Sequence, residues 1–254
     1  MKIDIRNRKN QKIVVLLEDA ANARGLAFII HGLSGKKEEP HIALFAEAFK
    51  EKEYTVVRFD TTNTFGESDG KYEDATVTNY IEDLEDVIKW AKSQLWYQEP
   101  YVLVGHSLGG IAALYFAKNY SNEVKGLAPI STVVSGELSM DTPKYKESDW
   151  EQSGWKIEKS STSPTGIKKL PWSHMIDRKK YDILPIADKL TMPILLIVGD
   201  KDDSTPPEHQ RMLFDVLPGD KELHIIKDAP HSFVEQPHLE EIKQIFFAWI
   251  DKLQ

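Results

Sequence analysis

The chain has 254 residues, and we predict that residues 1–254 form a single α/β domain of ordinary size. Its 32 lysines and arginines against 40 aspartates and glutamates give a net charge of −8, which disfavours nucleic acid as a partner. Cysteine is absent, so disulfides, thiolate metal sites and a cysteine nucleophile are excluded. The sequence contains neither a secretory signal nor eighteen consecutive apolar residues, and we expect a cytoplasmic protein without a membrane span.

Short apolar runs alternate with helical patterns along the chain. Two apolar runs near the N-terminus predict an edge hairpin, and a helix is predicted over 77–91 with Thr76 or Thr78 as its N-cap. This alternation predicts a mainly parallel sheet covered by helices on both faces. The buried strands are predicted at residues 26–30, 54–59, 101–104, 124–130, 193–198 and 223–226.

One long excursion separates the strand that ends near Ile130 from the next predicted strand. About sixty residues lie between them, so this segment must contain structure of its own. We interpret residues 132–185 as a lid whose Trp150, Trp155 and Trp172 are candidates for substrate contact, with packing on the core as the alternative. Residues 156–180 also contain seven lysines or arginines against two acids, which we interpret mostly as a solvated face.

The stretch YVLVGHSLGG at residues 101–110 joins an apolar run to a Gly-x-Ser-x-Gly pattern. A helical pattern begins at Ile111, so the turn between strand and helix must be very tight, and Gly105 and Gly109 relieve the crowding there. A serine at such a turn has a strained backbone and an exposed Oγ, as in a nucleophile elbow. We predict that Ser107 is a nucleophile, while a simple glycine-rich connection remains the alternative.

A serine nucleophile needs a base and a carboxylate that orients the base. The strand PILLIVGD ends in a turn that contains Asp200, Asp202 and Asp203, and the strand ELHIIK leads into Asp228 and His231. The chain order serine, aspartate, histidine is that of the α/β hydrolases. We predict that His231 is the base, and the residues alone leave four aspartates as possible acids.

The sequence resembles serine hydrolases of the α/β-hydrolase fold over residues 25–253. It is most similar to bacterial esterases of the cinnamoyl or feruloyl type and to monoacylglycerol-lipase-like esterases. The resemblance implies a mainly parallel eight-stranded sheet with helices on both faces and a lid insertion. The motifs that carry it are HGLSG, VRFDTTNTFGESDG, VGHSLGG, GDKDDSTP and APHSF, although the second has one extra residue before Gly66 and Phe65 where some relatives have His-Gly.

The resemblance also assigns roles to individual residues. It implies that Asp202 is the acid of the triad, with Asp200, Asp203 and Asp228 as competitors, and that the backbone N–H groups of Leu33 and Leu108 form the oxyanion hole.

We therefore predict a serine carboxylesterase that acts on small to medium acyl or aryl esters. A feruloyl esterase, a monoacylglycerol lipase, an amidase or aminopeptidase, and a non-catalytic binding module remain alternatives. No nucleotide, calcium or HExxH zinc motif is found, so neither a cofactor nor a metal is expected. A small-molecule ester is the expected partner, and a homodimer is left open.

Overall fold

The computed structural model of the protein describes residues 1–146, 148–160, 163 and 165–253. Within these residues the chain forms ten β-strands and seven α-helices. The strands are β1 (Lys2–Arg6), β2 (Lys12–Glu18), β3 (Gly25–Ile30), β4 (Tyr54–Phe59), β5 (Tyr101–His106), β6 (Val124–Ile130), β7 (Trp155–Lys159), β8 (Ile167–Pro171), β9 (Ile194–Gly199) and β10 (Lys221–Ile226). The helices are α1 (Pro40–Glu51), α2 (Val77–Ala91), α3 (Leu108–Asn119), α4 (Trp150–Ser153), α5 (Ser173–Arg178), α6 (Pro207–Val216) and α7 (Gln236–Lys252).

Eight of these strands form one sheet in the order β1-β2-β4-β3-β5-β6-β9-β10. β1 and β2 pair antiparallel, in a register that sets Lys2 opposite Leu16 and Arg6 opposite Lys12. β2 is also antiparallel to β4, and the remaining pairings in this sheet are parallel. The predicted N-terminal hairpin and the mainly parallel eight-stranded sheet are confirmed.

Helices cover both faces of the sheet, as predicted. The central strand β5 shows why its sequence is apolar throughout: Leu103 packs against the layer that contains α2 and α3, whereas Val102 and Val104 pack against the layer that contains α1 and α7. All three side chains are buried. A parallel strand that is covered on both faces reads as a continuous apolar run rather than as an alternating one.

The helix α2 begins where the sequence predicted. Thr76 is its N-cap, and its side chain accepts a hydrogen bond from the backbone N–H of Asn79. Thr78, the alternative cap, instead donates its hydroxyl to Asp177 at 2.6 Å. This contact ties α2 to α5, which lies 99 residues further along the chain.

Parallel strands bring their following loops to one edge of the sheet, which is where ligand sites of open α/β sheets form. The loops after β3, β5, β9 and β10 carry Leu33, Ser107, Asp202 and His231 to this edge. The topology therefore gathers residues that are up to 198 positions apart in the sequence.

The segment between β6 and β9 has structure of its own, which the sequence predicted only in general terms. β7 and β8 form a separate antiparallel hairpin, flanked by the short helices α4 and α5. Buried residues of this segment meet Tyr72 of the main body in a small apolar cluster. Its other buried members are Tyr145, Trp150, Leu170 and Met175.

Candidate active site

Ser107 lies in the turn between β5 and α3. Its backbone has φ 56° and ψ −114°, a left-handed region that residues other than glycine rarely adopt. Such a conformation costs on the order of 1–3 kcal/mol and persists only where the surroundings impose it. Gly105 makes the tight turn possible, because a Cβ atom there would lie 2.2 Å from the carbonyl oxygen of Gly109. The strained serine and its glycine neighbours have the geometry of a nucleophile elbow.

Two hydrogen bonds link Ser107 to His231 and Asp202. The Ser107 hydroxyl donates to Nε2 of His231 at 3.0 Å, and Nδ1 of His231 donates to Oδ2 of Asp202 at 2.8 Å. The side chain of Asp202 is fully buried, whereas that of His231 is 19% exposed. This arrangement can remove the serine proton and stabilise the resulting imidazolium.

The other three aspartates are not arranged in this way. Asp200, Asp203 and Asp228 are exposed, and none of them contacts His231 among the described residues. Asp203 accepts the hydroxyl of Ser204 at 3.1 Å, and Asp228 lies 4.0 Å from Lys201. The predicted acid Asp202 is therefore the aspartate that the fold brings to the histidine.

The Asp202 carboxylate is held in its ionised form. Burial, the largest influence, would raise its pKa, but the hydrogen bond and charge of His231 and two hydrogen bonds from Thr205 outweigh it and hold the pKa well below the usual range. Its Oδ1 accepts from the backbone N–H groups of Ser204 at 2.9 Å and Thr205 at 2.8 Å. These fixed donors set the orientation of the carboxylate.

Two backbone N–H groups are available beside the serine. Leu108 is the first residue of α3, so its N–H has no partner within the helix. The N–H of Leu33 donates no hydrogen bond to any described residue. Leu33, Leu108 and Ser107 line the same cavity. Both N–H groups could thus stabilise an oxyanion there.

The sequence did not indicate how the Leu33 peptide is oriented. The carbonyl of Gly32 in that peptide accepts three hydrogen bonds: from Nδ1 of His31 at 2.8 Å, from the hydroxyl of Tyr80 at 2.8 Å and from the backbone N–H of Gly35 at 3.0 Å. Nε2 of His31 accepts the N–H of Thr61, which fixes the tautomer. Because a trans peptide points its C=O and N–H in opposite directions, these bonds also fix the Leu33 N–H. Tyr80 lies on α2, where the sequence predicted a helix but no contact with the loop after β3.

A second group of histidines lies behind the base. Nε2 of His106 donates to the backbone carbonyl of His231 at 2.9 Å, and its ring contacts that of His41. Burial holds the pKa of His106 well below its usual value and lowers that of His41 to about 3. Both rings are therefore neutral at pH 7 and support the His231 loop without adding charge beside the base.

The cavity next to Ser107 has a volume of about 140 Å³. Its wall combines the elbow and the Leu33 loop with residues of the insertion. The lining residues from the insertion are Lys144, Tyr145, Lys156, Glu158, Lys168, Leu170 and Arg178, and Tyr72 of the main body lies beside them.

The three tryptophans proposed to contact substrate lie elsewhere, and none lines this cavity. Trp150 is buried behind Tyr145, and its indole N–H donates to the carbonyl of Leu170 at 3.0 Å. Trp172 is half-buried against Trp150, and Trp155 is 46% exposed on the outer surface. Trp150 and Trp172 pack in the small apolar cluster that the insertion forms with Tyr72, rather than on the core beneath the sheet that the alternative interpretation named.

The cationic stretch over residues 156–180 is only partly a solvated face. Lys156, Lys168 and Arg178 line the cavity, and Arg178 is buried. The prediction failed for these residues because charge composition does not show on which side of a hairpin a side chain lies. The interpretation holds for Lys159 and Lys169, which are exposed.

Other kinds of site are less well supported by the geometry. The described residues contain no group of three or more histidine, aspartate or glutamate side chains placed to hold a metal ion. None of their helices combines the length and the apolar character needed to cross a bilayer.

Comparisons with known proteins agree with this architecture. The chain is 26% identical over 236 residues to bovine palmitoyl-protein thioesterase ABHD10, mitochondrial. The match covers 90% of this chain and 74% of that protein. It is also 26% identical over 261 residues to an uncharacterized 31.7 kDa protein of Escherichia coli, covering 89% of the chain and 90% of that protein.

Solved structures show the same fold. The ferulic acid-bound Est1E from Butyrivibrio proteoclasticus superposes with a TM-score of 0.84 at 24% identity, covering 99% of this chain and 98% of that one. Alpha/beta hydrolase domain-containing protein 10 from mouse superposes with a TM-score of 0.81 at 21% identity over the whole of both chains.

Two family profiles match the sequence. One is described as PhoPQ-activated pathogenicity-related protein and matches residues 98–254. The other is described as serine aminopeptidase, S33, and matches residues 21–159, and each of the two matches spans more than half of the chain. The protein therefore has the α/β-hydrolase fold and belongs to the family described as serine aminopeptidase, S33.

Proposed function

We propose that the protein is a serine carboxylesterase that hydrolyses small acyl or aryl esters through an acyl-serine intermediate. The observation that carries the proposal is the hydrogen-bonded chain from Ser107 through His231 to Asp202, which ends on a buried carboxylate. A buried chain of this kind costs desolvation and backbone strain, and neither is needed for folding.

The proposed mechanism follows from the geometry. Ser107 Oγ attacks the ester carbonyl while Nε2 of His231 takes its proton, and Asp202 stabilises the imidazolium. The N–H groups of Leu33 and Leu108 hold the negative oxygen of the tetrahedral intermediate. His231 then gives the proton to the leaving alcohol, which leaves an acyl group on Ser107. Water, deprotonated by His231, attacks this acyl-serine and releases the acid.

The size of the cavity bears on the acyl group. About 140 Å³ is less than the 300–1,000 Å³ typical of sites for drug-sized ligands, and the second cavity that reaches Ser107 and His231 measures about 180 Å³. Each space by itself favours a small acyl or alcohol group. We further propose that residues 132–185 act as a lid that builds the wall of this pocket, because seven of the lining residues come from that segment.

Thioester hydrolysis is a second candidate, favoured by the similarity to palmitoyl-protein thioesterases. Feruloyl ester, monoacylglycerol and amide hydrolysis remain narrower possibilities, and a binding protein without turnover is the non-enzymatic alternative. The same triad can cleave each of these bonds, so substrate trials must separate them.

A substrate panel tests the proposal. It contains p-nitrophenyl esters of rising acyl length, a hydroxycinnamate ester, a short acyl thioester and an aminoacyl anilide. We expect turnover of the short esters, and a loss of at least about 10³-fold in kcat for Ser107→Ala with an unchanged melting temperature. Ser93→Ala, at an exposed serine, is the control. Turnover of no substrate would favour the binding protein, and more than a tenth of wild-type activity in folded Ser107→Ala would refute the role of Ser107.

A further inference from the structure

The hairpin of β7 and β8 turns three of its five charged side chains, those of Lys156, Glu158 and Lys168, toward the inside. Lys156 and Lys168 line the cavity beside Ser107, whereas three large apolar side chains face solvent. The exposed fractions are 46% for Trp155, 60% for Ile157 and 45% for Ile167. A shift of one residue in a strand exchanges its two faces. Burial of the face that carries Trp155, Ile157 and Ile167 would be the more favourable arrangement, so the orientation found here points to a use for the side chains of the inner face.

The cavity wall has an excess of positive charge. Of the described residues that line it, Lys144, Lys156, Lys168 and Arg178 are cationic, and Glu158 is the one carboxylate. Glu158 lies 3.2 Å from the Lys156 ammonium and 3.3 Å from that of Lys168, so it is shared between two lysines. Lys144 and Arg178 form no ion pair among the described residues.

Arg178 is the most unusual member of this group. It is buried, with 3% of its surface exposed, and its Nε atom has no hydrogen-bond partner among the described residues. The neighbouring acid Asp177 is already engaged, because it binds the hydroxyl and backbone N–H of Thr78 and the ammonium of Lys180. A buried guanidinium without a carboxylate is costly unless a ligand supplies the negative charge.

The ring of Tyr145 lies close to three of the positive charges of the cavity wall. The ammonium of Lys156 lies 4.2 Å from the centre of its ring, and the charged groups of Lys144 and Arg178 lie 5.7 Å away. Burial by itself would raise the pKa of the phenol, but these three positive charges, together with a hydrogen bond from Arg178, bring it below its usual value.

We propose that the substrate of this hydrolase carries a carboxylate or phosphate group, which binds among Lys144, Lys156, Lys168 and Arg178. The inference rests on the proposed function, because it names the substrate class of the same site. The ester carbonyl lies at Ser107 while the anion occupies the cationic end of the cavity. Attraction to this end also raises the local concentration of anionic substrates.

A pair of substrates with equal chain length tests the proposal. p-Nitrophenyl hydrogen glutarate and p-nitrophenyl pentanoate both have five acyl carbons, and they differ in a terminal carboxylate or methyl group. At low ionic strength we expect kcat/KM to be at least about tenfold higher for the glutarate ester, as for a charged hydrogen bond. The ratio should fall in about 0.5 M NaCl, because salt screens partly exposed charges.

Neighbouring lysines of β8 provide a matched pair of variants. Lys168→Gln removes a charge from the cavity, while Lys169→Gln removes one from the outer face of the same strand. We expect Lys168→Gln to lower kcat/KM for the glutarate ester about tenfold and to leave the pentanoate ester within about twofold. Lys169→Gln should change neither. Arg178→Gln, if it folds, should have a larger effect on the glutarate ester.

Binding measurements separate this proposal from the proposed function. Titration calorimetry of wild type, Lys168→Gln and Lys169→Gln with glutarate and with inorganic phosphate does not require turnover. The anion site is supported, even if no ester is cleaved, when either anion binds and Lys168→Gln weakens the binding while Lys169→Gln does not. The anion that binds more tightly shows whether the substrate carries a carboxylate or a phosphate. Equal turnover of both esters, or no binding of either anion, overturns the proposal and leaves ester hydrolysis standing if the pentanoate ester is cleaved.

Discussion

Replacement of Asp202 by asparagine should change the tautomer of His231. Oδ1 of Asp202 accepts two backbone N–H groups, while Oδ2 faces Nδ1 of His231 at 2.8 Å. In Asp202→Asn the amide has one oxygen and one NH₂ group for these two positions. The side chain must therefore leave either the backbone donors or the histidine without its present partner.

The magnitudes decide between the two orientations. If the NH₂ group faced the backbone, two buried N–H donors would lose their acceptor, at a cost of about 1–3 kcal/mol each. With the NH₂ group toward His231, the imidazole moves its proton from Nδ1 to Nε2. The Thr205 hydroxyl, which donates to Oδ2 at 2.8 Å, keeps the Ser131 carbonyl at 2.8 Å as its acceptor. The second arrangement is favoured, and Nε2 of His231 can then no longer accept the proton of Ser107. We expect kcat to fall about 10⁴-fold, as is typical when a triad histidine is held in the wrong tautomer.

The assay is kcat for a short p-nitrophenyl ester, with thermal melting as the test of folding. Asp203→Asn and Asp228→Asn are the controls, because both side chains are exposed and neither contacts His231 among the described residues. Each should retain activity within about threefold, as surface substitutions do. The reasoning is refuted if folded Asp202→Asn keeps more than a tenth of wild-type kcat, or if either control loses more activity than Asp202→Asn.

Three further predictions concern stability. Trp150→Ala should lower the free energy of unfolding by about 3–5 kcal/mol, and Trp155→Ala should lower it by less than about 0.5 kcal/mol. Neither variant should change the dependence of kcat/KM on acyl length. A changed dependence would show that these tryptophans contact the substrate. Gly105→Ala should lower it by about 3 kcal/mol or more in denaturant titrations, because its Cβ would overlap the backbone of α3, and a wild-type midpoint would contradict the elbow geometry. The pKa of His41 is about 3 in the folded protein and about 6.5 in an unfolded chain, so the unfolded state binds the extra proton between these values. Stability should therefore fall by up to about 1.4 kcal/mol per pH unit below pH 6.5 through this group, and His41→Phe should reduce the slope of the urea midpoint against pH.

The sequence by itself determined the alternation of strands and helices and the position of the elbow. These features depend on short stretches, since an apolar run such as residues 101–104 and the glycines around Ser107 restrict the local backbone whatever the rest of the chain does. The N-cap of α2 was predicted to be Thr76 or Thr78 because capping also depends on a short stretch of sequence. Ser107 precedes the aspartates and His231 in the chain, and this order also indicated the family. The strands β5, β9 and β10 lie across the sheet in the same order as in the chain, so the loops that follow them do as well.

Only the tertiary structure decided between side chains that are equivalent in local sequence. Asp202 and Asp203 are neighbours in one turn, yet only the first meets a histidine that arrives from a different strand. The faces of the β7–β8 hairpin were likewise undetermined, because alternation defines two faces without saying which one turns inward. Lys168 lines the cavity and Lys169 does not, because the insertion turns the face that carries Lys156 and Lys168 toward the loops after β3 and β5. These segments lie more than fifty residues apart in the sequence.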